Sequence, residues 1–187
     1  MLLATAVVLV FGLLIALAYN SLARLRLLAA NAWADIDVQL KRRHDLVPAL
    51  VAAVKGHAGY EQGTLEGVVV ARNRAASAPG PAAAGRAEGE LARSVRDILV
   101  LAEAYPDLRA AESFLGLQRS LTEIEDHLQD ARRYYNAVVR DLNTQVAQFP
   151  TNLVATAFGF RPAEFFGLDD PGDSAAPAVD LGPGPAR

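Results

Sequence analysis

Apolar residues recur along this chain at helical spacing almost everywhere, after an opening run that is apolar on every side. Residues 2–18, LLATAVVLVFGLLIALA, carry no charge, and Thr5 is their only polar side chain. Seventeen residues at about 1.5 Å each is the short limit for a spanning helix. Tyr19 stands where an interfacial aromatic is expected, and Leu22, Leu25, Leu27 and Leu28 prolong the apolar surface. The ALA at 16–18 matches a signal-peptidase box. However, no Lys or Arg precedes the run, and no Gly or Pro interrupts the helical pattern after it. A retained anchor is therefore expected over 1–18. Arg24, Arg26 and Lys41–Arg43 all follow it, so the positive-inside rule predicts N-out, with the bulk of the chain cytoplasmic.

Beyond the anchor, Leu25, Ala29, Trp33, Ile36 and Leu40 form a stripe at 3–4 spacing, predicting a first helix to about Arg43. Pro48 cannot continue an established helix, while Asp45 can cap a new one, so a kink or restart is expected near 44–46. A second helix is expected over 46–78, with a break near Gly59, then a Pro/Gly/Ala-rich loop at 77–89. A third helix is expected over 88–105. The fourth, over 107–149, carries Leu121, Ile124, Leu128, Ala131, Tyr135, Val138, Leu142, Gln145 and Phe149 at alternating 3,4 spacing. That sustained heptad means helix packing at shallow crossing angles. Such a helix is about 64 Å long, and Leu108, Ala111, Leu115 and Gln118 precede its core in an offset rhythm. After a short aromatic segment, residues 168–187 are rich in Pro, Gly and Ala and read as a disordered tail. The expected fold is all-α: an anchor over 1–18, an antiparallel helical bundle over 19–167, and the tail.

Composition removes several chemistries. The chain has no cysteine, so it has neither disulfides nor thiolate chemistry, and its formal net charge of −3 offers no global field for nucleic acid. Arg132, Arg133 and Arg140 are interleaved with Asp126, Asp130 and Asp141, a mixed-sign solvated face. Di-iron bundles need Glu-x-x-His on two helices; here Glu123 precedes His127 by four, as His57 precedes Glu61, and such pairs are ordinarily surface partners. No nucleophile elbow or phosphate-cradling glycine loop occurs, so neither a catalytic residue nor a cofactor is expected. A metal-assisted bundle enzyme using His44, His57 and His127 is the rival reading from another class.

Two clusters remain as candidates. Lys41, Arg42, Arg43 and His44, next to Asp45, read first as cations closing a helix end. Alternatively, Lys41, Arg42, Arg43, His44 and Asp45 are a contact for a partner, with Arg42, Arg43 and His44 binding an acidic one or closing an ion-pair network with Asp45 and Asp37. Phe158, Phe160, Arg161, Phe165 and Phe166 can plug one end of the bundle, or meet the bilayer surface if the fourth helix returns to the membrane. The second option would make the chain a lipid-surface regulator.

The stretches NAWADIDVQLKRRHDLVPALVAAVKGHAGYEQGTLEGVVVARNRA and ARRYYNAVVRDLNTQVAQFPTNLVATAFGFRPAEFF resemble the LemA family of bacterial membrane-anchored proteins. Trp33, Asp37, Gln39, Arg42, Arg43, Asp45, Leu46 and Pro48 stand in that family's motif positions. So do Tyr134, Asn136, Asn143, Phe149, Pro150, Asn152, Phe158 and Phe160. Gly63 and Gly67 depart from it. The resemblance implies a single N-terminal span, a long antiparallel bundle, and no known catalytic activity, cofactor or substrate. It also implies association with membrane organisation, magnetosome formation included, and with membrane proteases. The resulting expectation is a non-enzymatic interaction or scaffold protein. It would meet lipid through residues 1–18 and a protein partner, such as a membrane protease or a second copy of itself, through the bundle.

Overall fold

The computed structural model describes residues 1–56 and 62–167. They form six helices: α1 (Leu2–Lys55), α2 (Gln62–Ala76), α3 (Gly80–Glu103), α4 (Pro106–Ala110), α5 (Glu112–Ala147) and α6 (Thr151–Ala157). No strand occurs among the described residues, and the all-α architecture holds. Gly59, His57, Glu61 and the tail 168–187 lie outside the described residues.

The long helix α1 is the spine. Its first turns are exposed and apolar, long and apolar enough to cross a membrane. The same helix then continues without interruption into the bundle. There Leu22, Ala29, Ala32, Ile36, Leu40, Val47, Leu50 and Val54 are buried along one stripe. At about 1.5 Å per residue, α1 is about 81 Å long.

The expected restart near 44–46 is absent: Pro48 lies inside α1. A proline removes the amide that would bond the carbonyl four residues back, and here that orphan is the His44 carbonyl. The Arg72 Nε donates to it across 3.3 Å from α2, so a side chain replaces the missing backbone donor and the helix carries on. The 77–89 segment also differs from expectation, because α3 starts at Gly80 and only 77–79 are non-helical. Its glycines have separate duties. Gly80 takes a left-handed φ of +73° at the turn. Gly85 lets another backbone approach so closely that a Cβ there would lie 1.9 Å from the Gly167 carbonyl oxygen.

The expected fourth helix is two. Ala111 is extended, with ψ 126°, and separates α4 from α5. Phe114, seven residues before Leu121, is fully buried, while Leu115 is exposed. The break brings Phe114 rather than Leu115 into register with the heptad core. At the other end α5 stops at Ala147, and extended Gln148 turns Phe149 outward.

Three apolar clusters follow one another along the bundle. The first, around Leu22, Leu142, Val154 and Phe160, adjoins the exposed end of α1. The middle one gathers Ile36, Leu40, Leu128, Tyr135, Val139 and Phe166. The farthest holds Val47, Leu50, Val68, Leu91, Ile98 and Phe114.

Candidate functional site

The charged knot is not a helix end. It sits on α1 between the middle and far apolar clusters, and helical geometry splits it. Arg43 and His44 face inward and are buried, whereas Lys41, Arg42 and Asp45 face solvent. Inside, Glu88 of α3 is fully buried. Its Oε1 lies 2.5 Å from His44 Nε2, and its Oε2 accepts from Arg43 Nη1 at 3.4 Å. The other arm of the Arg43 guanidinium pairs with Glu125 of α5. One planar cation thus bridges α3 and α5 from α1, each terminal nitrogen reaching a different carboxylate.

A buried charge in an apolar interior is strongly destabilising unless it is compensated. Here Arg43 finds two carboxylates, and His44 shares one of them. Outside, Lys41 pairs with Asp37 at 2.6 Å, an exposed (i, i+4) contact worth only tenths of a kcal/mol. The network expected between Arg42, Arg43 and His44 and the carboxylates of Asp37 and Asp45 is not the one that forms: Asp37 is taken by Lys41. Arg43 and His44 instead use Glu88 and Glu125. Their burial removes both from a docking face and leaves Lys41, Arg42 and Asp45 as the accessible part of the knot. His127 is exposed on α5, far from any histidine partner in sequence, and no group of three His, Cys, Asp or Glu able to hold a metal occurs among the described residues.

The aromatic segment resolves into two parts. The first is α6, whose C-terminus is closed by a Schellman arrangement. The Phe160 N–H donates to the Ala155 carbonyl at 2.9 Å, the Gly159 N–H to Thr156 at 3.4 Å, and Gly159 takes φ +70°. That turn aims residues 160–167 back along α5 as an extended strap.

Two asparagines seven residues apart on α5 hold this strap as if it were a second strand. Asn143 donates to the Ala163 carbonyl at 3.0 Å and accepts from the Ala163 N–H at 2.8 Å. Asn136 does the same for Phe166, at 3.0 Å both ways. Tyr135 adds a hydroxyl bond of 2.7 Å to the Glu164 carbonyl. Burial of that phenol, reinforced by the Glu164 carboxylate, holds its pKa above the ordinary 10.0. Trp33 closes the strap from α1, its ring centroid 5.7 Å from Tyr135 and 5.6 Å from Phe166.

Phe160 and Phe166 are accordingly buried core residues, while Phe158, Arg161 and Phe165 are exposed. Trp33 marks the level of Phe166, about 21 Å along α1 from Tyr19. That height places Phe165 and Phe166 away from the exposed end of α1. Phe158 and Phe160 do lie there, with Phe158 5.0 Å and Phe160 5.6 Å from the Tyr19 ring centroid. Arg26 lies over the Phe160 ring at 5.0 Å.

These features fall within one family profile. The LemA family model matches residues 32–181, which takes in the knot, both asparagine clamps and the strap. The chain belongs to the LemA family.

Among LemA-related proteins, Protein LemA of Metamycoplasma hominis is 26% identical over 126 residues, 67% of this chain and 58% of that protein. Magnetosome protein MamQ 2 of Paramagnetospirillum magneticum is 28% identical over 88 residues, 47% of this chain and 32% of the relative. Magnetosome protein MamQ of Magnetospirillum gryphiswaldense is 25% identical over a stretch of the same length. The chain thus spans about a third of the length of the magnetosome relatives it matches.

Within this LemA chain, sequence reasoning missed Glu88, Glu125 and Arg72. Each is one charged residue on a helix surface pattern, and only the three-dimensional partner distinguishes it. Asn136 and Asn143 did carry a signal: an identical amide at heptad spacing, one flanking Tyr135, marks a repeated polar contact on an otherwise apolar face.

Proposed function

We propose that this LemA-family chain is a non-enzymatic, membrane-anchored interaction protein whose bundle presents a rigid surface for other membrane-associated proteins. The observation that carries the reading is the continuity of α1. One unbroken helix supplies both the exposed apolar segment and the buried spine of the bundle. An anchor of that kind fixes the height and tilt of everything packed on it, as a docking platform requires, and no flexible linker separates the two. With the cations that follow the apolar run, Arg24 and Arg26, on the inner side, the bundle is cytoplasmic. The exposed Lys41, Arg42 and Asp45 form one polar contact face, about 33 to 39 Å along the helix from Tyr19.

In-cell crosslinking with mass spectrometry, using full-length protein at native abundance, tests this reading. Crosslinks from Lys41 or Lys55 to one defined membrane protein, such as a membrane protease, establish an adaptor. Crosslinks solely between copies of the chain establish a self-assembled scaffold. A chain that is monomeric in native membranes and crosslinks to nothing contradicts the proposal.

A further inference from the structure

Packing leaves large apolar surface around α6 open to solvent, even though Phe158 also meets Tyr19 edge-on. Phe149, Leu153 and Phe158 are 73%, 62% and 54% exposed, although each is large and apolar. Leu153 lies within α6 and Phe149 and Phe158 flank it, and three large apolar side chains left this open along residues 149–158 mark a contact surface. The inner face of α6 is spoken for: Val154 and Ala155 pack with Leu22 and Leu142, and Ala18 lies against the same cluster. That packing sets α6 at the level of residues 18–22 of α1.

This is the level at which a bilayer boundary falls. Residues 2–18 cover about 25 Å, whereas the hydrocarbon core is about 30 Å thick and needs about 20 residues. The apolar layer should therefore reach past Tyr19, alongside Phe158. Charge agrees. Neither α1 before Asp35 nor the whole stretch 142–163 contains a single Asp or Glu, while Arg24, Arg26 and Arg161 are present. An acid-free, aromatic, weakly cationic end is suited to a phospholipid headgroup layer and ill suited to a basic protein partner.

We propose that α6 and its flanking residues, 149–158, are a membrane foot: Phe149, Leu153 and Phe158 seat in the interfacial layer of the bilayer that α1 crosses, a second lipid contact beside the span. The inference rests on the reading of residues 2–18 as an anchor. Two contacts at different positions resist tilting where a lone helix does not. The bundle is thereby held at a fixed angle to the membrane, and the strap beyond Gly159 begins at the foot.

The chain has no cysteine, so single-site labelling is direct. Full-length Leu153→Cys, Leu9→Cys and Leu115→Cys variants would each carry an environment-sensitive fluorophore. They would be reconstituted in phosphatidylcholine/phosphatidylglycerol liposomes with and without doxyl-labelled acyl chains. The foot predicts blue-shifted emission and strong doxyl quenching at positions 9 and 153, and water-like, unquenched emission at 115. Quenching at 9 with water-like emission at 153 overturns the foot and leaves the anchor standing. Blue-shifted but unquenched emission at 153 also overturns it, because protein rather than lipid would cover the site. Absence of quenching at 9 overturns the anchor and the foot together.

Discussion

Two regions of this bundle are fastened to α5 by opposite means. In the knot, α1, α3 and α5 are cross-linked through a charged centre, the Arg43 guanidinium against Glu88 and Glu125 with His44 also on Glu88, largely shielded from water. Along the strap, α5 grips residues 163–166 with neutral amides that mimic a strand ladder, at the partly wet edge of the core. The ionic layer is strong only while complete, because removing one member leaves an uncompensated charge in a poor solvent. The amide clamps divide their contribution over separate bonds, so losing one loosens the strap locally. The first arrangement joins three helices through one buried side chain; the second ties down a segment that has no secondary structure of its own.

The sharpest way to break the contrast is Glu88→Ala. It takes the partner from His44 and one of two carboxylates from buried Arg43, and is expected to destabilise the bundle by about 3–5 kcal/mol, measured by denaturant unfolding in detergent. A loss under 1 kcal/mol would mean that water enters the layer. Next, Arg72→Met orphans the His44 carbonyl and should cost about 1–3 kcal/mol. In a Pro48→Ala background most of that loss should vanish, since an amide at position 48 can bond His44 itself. Additive effects would show that Arg72 acts otherwise.

Asn136→Ala removes both bonds to Phe166 and should cost about 1–3 kcal/mol. Trp33, the only tryptophan, should shift to the red as Phe166 leaves its ring, while the knot keeps its protection from hydrogen exchange. Smallest is Tyr135→Phe, about 0.5–1.5 kcal/mol for the bond to Glu164. The folded phenol titrates above 10.0, so its contribution is intact below pH 10. Above that, the unfolded state ionises first, and the contribution is lost as pH rises through the folded value. The Phe variant should lack this alkaline loss.

The legibility of the chain follows the same division. The apolar run of α1 and the heptad of α5 were readable because period and hydropathy are local properties of the residues themselves. Leu121, Ile124, Leu128, Tyr135, Val138 and Leu142 are all buried as the spacing predicts. Pro48 misled because its local rule is sound but incomplete: the missing hydrogen bond is replaced by Arg72, twenty-four positions away. Gly85 misled in a related way. A glycine amid Ala, Pro and Gly suggests a loop, yet it sits inside a helix because Gly167 passes close by. Glu88 had no signal at all, since nothing local separates a carboxylate that will be fully buried from its exposed neighbours. Of the two candidate clusters, the sequence located both but could not sort inward from outward members, which depends on partners contributed by other helices.

The fixed platform and the polar layer both depend on α1 passing through the knot unbroken. Nitroxides on full-length Leu27→Cys/Ala49→Cys protein in liposomes, read by pulsed dipolar spectroscopy, measure this directly. A continuous helix predicts one narrow distance distribution near about 33 Å, from 1.5 Å per residue. A broad or markedly shorter distribution would show that the chain turns at 44–48, and would contradict the account.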